Sequence, residues 1–191
     1  MLILASASPR RREILTAAGI PFRVVVPGIE EAPEPGESPE DYVRRLARDK
    51  ARALACGETD IILAADTVVA VEGHILEKPR DEADARRMLA MLSGRRHRVI
   101  TGVCLRTAQR EIVDLECTMV RFVDLTPQEI ELYVASGEPL DKAGAYAIQG
   151  LASKFIDRIE GCYFNVVGLP VARVYRHLKT LWSEPSRSSS V

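Results

Sequence analysis

Histidine, cysteine and tryptophan are scarce in this sequence, with three, four and one among 191 residues. Cys56, Cys104, Cys117 and Cys162 stand far apart and lack the close pairs of a zinc knuckle. They are expected as free, mostly buried thiols of a reducing compartment, which points to the cytoplasm. His74, His97 and His177 are just as scattered, so neither a zinc site nor a histidine-based nucleophile is expected. No apolar run approaches the roughly 18 residues of a membrane span. Nor does the first stretch carry the basic leader and apolar core of a secretion signal. Charge of one sign is missing as well: 26 basic side chains face 27 acidic ones, for a net charge of -1. A protein that held nucleic acid across a broad surface would be more basic, so no nucleic-acid partner is expected and any positive site must be local. A phosphate-loop signature, a dinucleotide-binding glycine triplet and an internal repeat are all absent.

What remains is an ordinary globular composition, 47% apolar and 28% charged. Residues 2–6 read as a short buried strand. Ser8-Pro9 then opens a helix that Gly19 ends, because serine caps and proline suits the first helical position. Residues 22–27 read as a second strand, and the Pro, Gly and Glu residues of 28–38 as a loop. Ser38-Pro39-Glu40-Asp41 resembles a capping box and opens a helix reaching Cys56. The apolar, β-branched run 60–71 is a buried strand or strand pair, interrupted at Asp66. Asp81 caps a helix ending near Leu92. Strands are expected over 97–107, within 111–123 and near 154–159. Thr126-Pro127-Gln128-Glu129 opens another helix, 138–150 is irregular, and a last amphipathic helix runs from about Pro170 to Trp182. Residues 1–182 thus form one domain, and 183–191 hold too little apolar surface to fold. Interleaved strands and helices give an α/β fold, with a mixed twisted sheet and flanking helices.

The informative residues are polar side chains on buried positions. Asp66 lies between Ile61–Ala65 and Val68-Val69. An unpaired buried carboxylate costs several kcal/mol, so it either caps a turn, pairs with a lysine or does chemistry. Lys50 follows Val43 by seven residues, Leu46 by four and Ala47 by three, which puts it on the apolar stripe of its helix. It either snorkels outward or serves a site. Ser6, Ser8 and Arg10-Arg11-Arg12 surround a helix N-terminus whose free N–H groups suit a phosphate. Gln149 is an amide in an apolar, glycine-flanked segment, either satisfying buried backbone or meeting the edge of a ring. Acidic groups for a divalent metal, cations for phosphates and one amide together suit phosphoanhydride cleavage. A nucleic-acid-binding module using Arg10–Arg12 is disfavoured, because carboxylates beside those cations would repel a polyanion.

Several segments resemble the signatures of the Maf family: Ser6-Ala7-Ser8-Pro9-Arg10-Arg11, Ala64-Ala65-Asp66-Thr67-Val68-Val69, Glu77-Lys78-Pro79, Thr101-Gly102-Val103, Asp141 to Gly150, and Asn165-Val166-Val167-Gly168-Leu169-Pro170. In this order they span nearly the whole chain. The resemblance implies an inosine-triphosphatase-like fold of two lobes around a central cleft, a homodimer, and nucleoside triphosphate pyrophosphatase activity with Mg²⁺ or Mn²⁺. Its Ile-Gln-Gly segment is similar to the branch acting on dTTP and UTP, so a pyrimidine nucleoside triphosphate is the expected partner. Carried over by position, Asp66 is the catalytic carboxylate, Arg10, Thr67 and Gln149 set substrate specificity, and Ser6, Glu30, Lys50 and Lys78 line the cleft. Glu30 and Asp66 are the expected metal ligands. The alternative the resemblance leaves is a non-catalytic nucleotide-binding regulator of septum formation and cell division.

Overall fold

The computed structural model describes residues 1–183. Of the expected tail, Ser183 ends the last helix and the other eight residues lie outside the described ones. Strands β1 (Leu2–Ala5), β2 (Arg23–Val25), β3 (Ile61–Val71), β4 (His74–Leu76), β5 (Arg96–Arg106), β6 (Glu111–Phe122) and β7 (Ile156–Glu160) form one sheet in the order β2-β1-β3-β5-β6-β7, with β4 paired to β3. The β1 pairings are parallel and the rest antiparallel, so the sheet is mixed as expected. Helices α1 (Pro9–Ala17), α2 (Pro39–Arg52), α3 (Glu82–Leu92), α4 (Pro127–Ala135), α5 (Tyr163–Val167) and α6 (Val171–Ser183) flank it. No helix among the described residues is long and apolar enough to cross a membrane.

The helix starts follow from their caps. Ser8, Ser38, Asp81 and Thr126 each accept a bond from the backbone N–H three residues on, and only Thr126 with Glu129 completes the reciprocal box. Two elements lack a strong local signal. α5 is a single short turn, and β4 follows a two-residue hairpin at Glu72-Gly73, both with positive φ. That is the backbone of a type I′ turn, and a Glu-Gly pair is a weaker cue for it than Asn-Gly. All four cysteines are free, but only Cys104 is buried and Cys117 is exposed, so the expectation of mostly buried thiols is corrected.

Alternation along β3 sorts the core. Ile62 and Ala64 pack on Ala47 and Ala51 of α2, and Val68 and Ala70 on Tyr42, Val43 and Leu46. On the opposite face, Leu63 and Ala65 meet α1 and α6, whereas Val69 and Val71 meet α3 and α4. Thr67 falls at the division between those two apolar clusters, so the second face of the sheet carries two lobes with a polar seam. Such alternation is the period-2 geometry of a strand.

The edge of β3 decides where a site can form. Its first half pairs with β1 through Ile61–Ala64, and its last residues pair with β4 from Val69 to Val71. Between them the edge of residues 65–68 has no strand beside it. Of the two readings of this run, a strand or a strand pair, the structure has the single strand: it runs unbroken through Asp66, because its other edge pairs continuously with β5 from Ile62 to Ala70. Directly opposite Asp66 on β5 stands Gly102. A β-carbon there would lie 2.2 Å from the Val43 carbonyl oxygen of α2. Only glycine lets the helix come this close to the sheet, and Lys50 sits two turns beyond Val43 on the same face.

Candidate active site

A cavity of about 540 Å³ opens at the gap in the β3 edge. That is ample for a nucleotide-sized ligand. Seven of the eight residues singled out in the sequence border it: Ser6, Arg10, Lys50, Asp66, Thr67, Lys78 and Gln149. Glu30 does not. It is exposed and outside the cavity lining, and its neighbour Glu31 lines the cavity instead. Consecutive residues of a non-helical segment point in different directions, so a one-residue choice in a loop decides between cavity and solvent.

Asp66 and Lys50 explain one another. The Lys50 ammonium donates to Asp66 Oδ1 at 2.6 Å and lies 2.9 Å from Glu31 Oε1. Its side chain is 8% exposed, so it does not snorkel. Burial pushes the Asp66 carboxyl above the usual carboxylate range, against the pull of Lys50 and then of Arg11. A carboxylate raised in this way is a better proton acceptor than an ordinary aspartate.

Arg11 was not separated from its two neighbours in the sequence, yet it organises the site. Its Nε donates to the Gly168 carbonyl (2.9 Å), Nη1 to the Ala65 carbonyl (2.8 Å) and Ser6 Oγ (3.2 Å), and Nη2 to Thr67 Oγ1 (3.1 Å). The Ala65 carbonyl belongs to the unpaired edge of β3, so Arg11 supplies the donor that a neighbouring strand would have supplied. Burial works against its charge, and Asp66 and Glu31 offset this. Arg10 instead reaches outward to Asp141 at 3.3 Å. The signal that could have told them apart is helical phase, since Arg11 shares the buried face with Ile14 and Leu15.

Two hydroxyls differ in what they have left to offer. Ser6 Oγ accepts from Arg11 and from Ser8 N (3.1 Å), so its own proton is free for a ligand. Thr67 Oγ1 is held by Arg11 and shares a 2.9 Å bond with Thr101 Oγ1, so this hydroxyl is engaged within the protein. Lys78 and Gln149 are exposed at the cavity, and neither side chain has a hydrogen-bond partner among the described residues. A glutamine that satisfied buried backbone would look otherwise. Two further cavity residues come from the loops: Glu77, which accepts from the buried Tyr42 hydroxyl, and Lys142, whose ammonium meets the Glu138 carbonyl at 2.8 Å.

The donor set suits a hard divalent cation. Asp66 and Glu31 offer carboxylate oxygens a lysine apart, and among the described residues no three acidic, histidine or cysteine side chains converge on one point. Mg²⁺ commonly takes one or two protein carboxylates and completes its shell with water and substrate phosphate. Asp66 and Glu31 are thus the two residues here that could hold such an ion, with the rest of its shell coming from outside the protein.

Fold and site together define a mixed-sheet α/β protein whose polar, charge-lined cleft lies in a parted sheet edge. A HAM1 protein from Coxiella burnetii shares the fold, with a TM-score of 0.50 at 14% identity, covering 94% of this chain and 98% of that one. The chain belongs to the Maf-like protein family, whose model matches residues 1–181. It is 54% identical over 179 residues to a dTTP/UTP pyrophosphatase of Koribacter versatilis, covering 93% of each chain. It is 53% identical over 176 residues to the dTTP/UTP pyrophosphatase of Syntrophomonas wolfei, covering 90% of this chain and 93% of that one. A Bacillus cereus protein of the same name is 50% identical over 179 residues, covering 93% and 94%.

Proposed function

We propose that this chain is a pyrophosphatase that converts dTTP and UTP to the nucleoside monophosphate and pyrophosphate. The observation that carries the reading is the buried Asp66–Lys50 pair facing a cavity edged with cations, in a chain about half identical to proteins bearing that name. In the proposed reaction a water oxygen bonds to the α-phosphorus, the α–β bridging bond breaks, and pyrophosphate leaves. Asp66 takes the proton from that water. Lys50 holds the carboxylate in place and favours its ionised form against burial. Arg10 and Lys78 bind the triphosphate oxygens, and the Ser6 hydroxyl donates to one of them. Asp66 and Glu31 are the residues that would hold Mg²⁺ or Mn²⁺; when bound, such an ion neutralises phosphate charge. Gln149 meets the base. Uracil and thymine offer an N3–H donor beside the O4 acceptor, and a carboxamide supplies the matching acceptor and donor. A homodimer in the cytoplasm belongs to the same proposal, on the strength of the family resemblance.

Hydrolysis of UTP in water enriched in ¹⁸O tests the point of attack. The label is expected in the UMP phosphate. Label in the pyrophosphate instead would place attack on the β-phosphorus and contradict the arrangement, and no hydrolysis at all would favour the regulator.

A further inference from the structure

The Gln149 side chain makes no hydrogen bond among the described residues, but the loop that carries it is tied down along its length. Gly144 N donates to the Glu77 carbonyl at 3.0 Å, and the Tyr146 hydroxyl shares a 2.8 Å hydrogen bond with buried His97 Nε2. Beyond these, two residues outside the cavity form a closed bracket. Ala147 N donates to the Tyr133 hydroxyl (3.2 Å), Tyr133 donates to Glu138 Oε1 (2.8 Å), and Glu138 Oε2 accepts from Leu151 N (3.1 Å). The two backbone anchors stand two residues either side of Gln149. Tyr133 is buried on α4, so the bracket is fixed to a helix.

Gly150 is part of the same device. Its φ of -109° is open to any residue, so conformation does not demand glycine there. Space does: a β-carbon would lie 2.2 Å from Glu138 Oε2. The carboxylate fits against the main chain because that side chain is missing.

We propose that Tyr133 and Glu138 are positioning residues for base selection, holding the backbone on both sides of Gln149 so that its amide meets only one base edge. The proposal rests on Gln149 as the reader of the base. A carboxamide can turn over and present either pattern, so it discriminates uracil from cytosine only where its carrier cannot move to suit both. Neither residue touches the cavity, and neither would be chosen for its chemistry.

Tyr133→Phe removes one hydroxyl, and Glu138→Gln leaves one acceptor oxygen where two are used; both keep the packing volume. The measurement is kcat/KM for UTP and for CTP in these variants and in Gln149→Ala, with melting curves beside them. In each variant the UTP-to-CTP ratio is expected to fall by roughly tenfold, the size of effect that follows when a locked polar match is loosened. UTP kcat should stay within about threefold in Tyr133→Phe and Glu138→Gln, since the phosphate contacts are untouched. Gly150→Ala should reproduce the loss by displacing Glu138. A wild-type ratio in Tyr133→Phe and Glu138→Gln, beside a collapsed ratio in Gln149→Ala, overturns the bracket and leaves the base reading standing. An unchanged ratio in Gln149→Ala removes the base reading, and the bracket falls with it.

Discussion

Replacing Asp66 with asparagine is expected to lower UTP turnover by at least about 10²-fold, the loss that accompanies a missing general base. The fold should survive. Asparagine keeps the shape of the side chain, and the ionised carboxylate it replaces is held in a buried place that opposes its charge. Lys50 is not stranded by the change, because Glu31 remains 2.9 Å from its ammonium. The sign of the pH effect follows. A carboxyl whose folded pKa is raised adds stability below its unfolded value, about 3.9, and loses it as pH rises through the folded value. Above that window ionised Asp66 costs stability, so the melting temperature of Asp66→Asn should rise relative to that of the unmutated protein as pH is raised through it. Calorimetry beside initial rates checks both halves. Turnover within a few-fold of normal would remove Asp66 from the mechanism.

Lys50→Met should be costly in two ways. It leaves Asp66 buried with its closest counter-charge gone, and breaking one partner from a buried pair typically costs ~3–5 kcal/mol. It also removes the largest influence that pulls the Asp66 carboxyl down. Turnover at pH 7 should fall by about 10²-fold, as when a preorganised charge is removed from an active site. The acid limb of the pH–rate profile should move to higher pH, because Asp66 must lose its proton before it can accept one. Thermal stability of this variant should improve as pH is lowered, in the sense worked out above. A lysine that only covered apolar surface would change the melting temperature and leave the profile where it was.

Much of this site is legible in the sequence, for reasons that differ by residue. Asp66 stands out because a carboxylate interrupts an apolar run, and Lys50 because the 3.6-residue period places it inward. Both signals are local. The helix starts are legible for the same reason, since a cap is a contact between residues three apart. The opening in the β3 edge is different. It depends on β1 pairing with one half of the strand and β4 with its last residues, and β1 is about 60 positions away along the chain. Nothing near Asp66 encodes that. Arg11 could have been separated from Arg10 by phase, but its four partners come from residues 6, 65, 67 and 168. Glu30 and Glu31 are chemically identical neighbours, and only the course of the loop chooses between them. Tyr133 and Glu138 read as an ordinary helix residue and an ordinary loop acid until the backbone of 147–151 is laid against them.

The most direct test of the account is the rate of pyrophosphate release from equal concentrations of UTP, dTTP, CTP, ATP and GTP in the presence of Mg²⁺. UTP and dTTP are expected to be cleaved well, CTP poorly and the two purine nucleotides least. A preference of the unmutated protein for ATP or GTP would contradict the account.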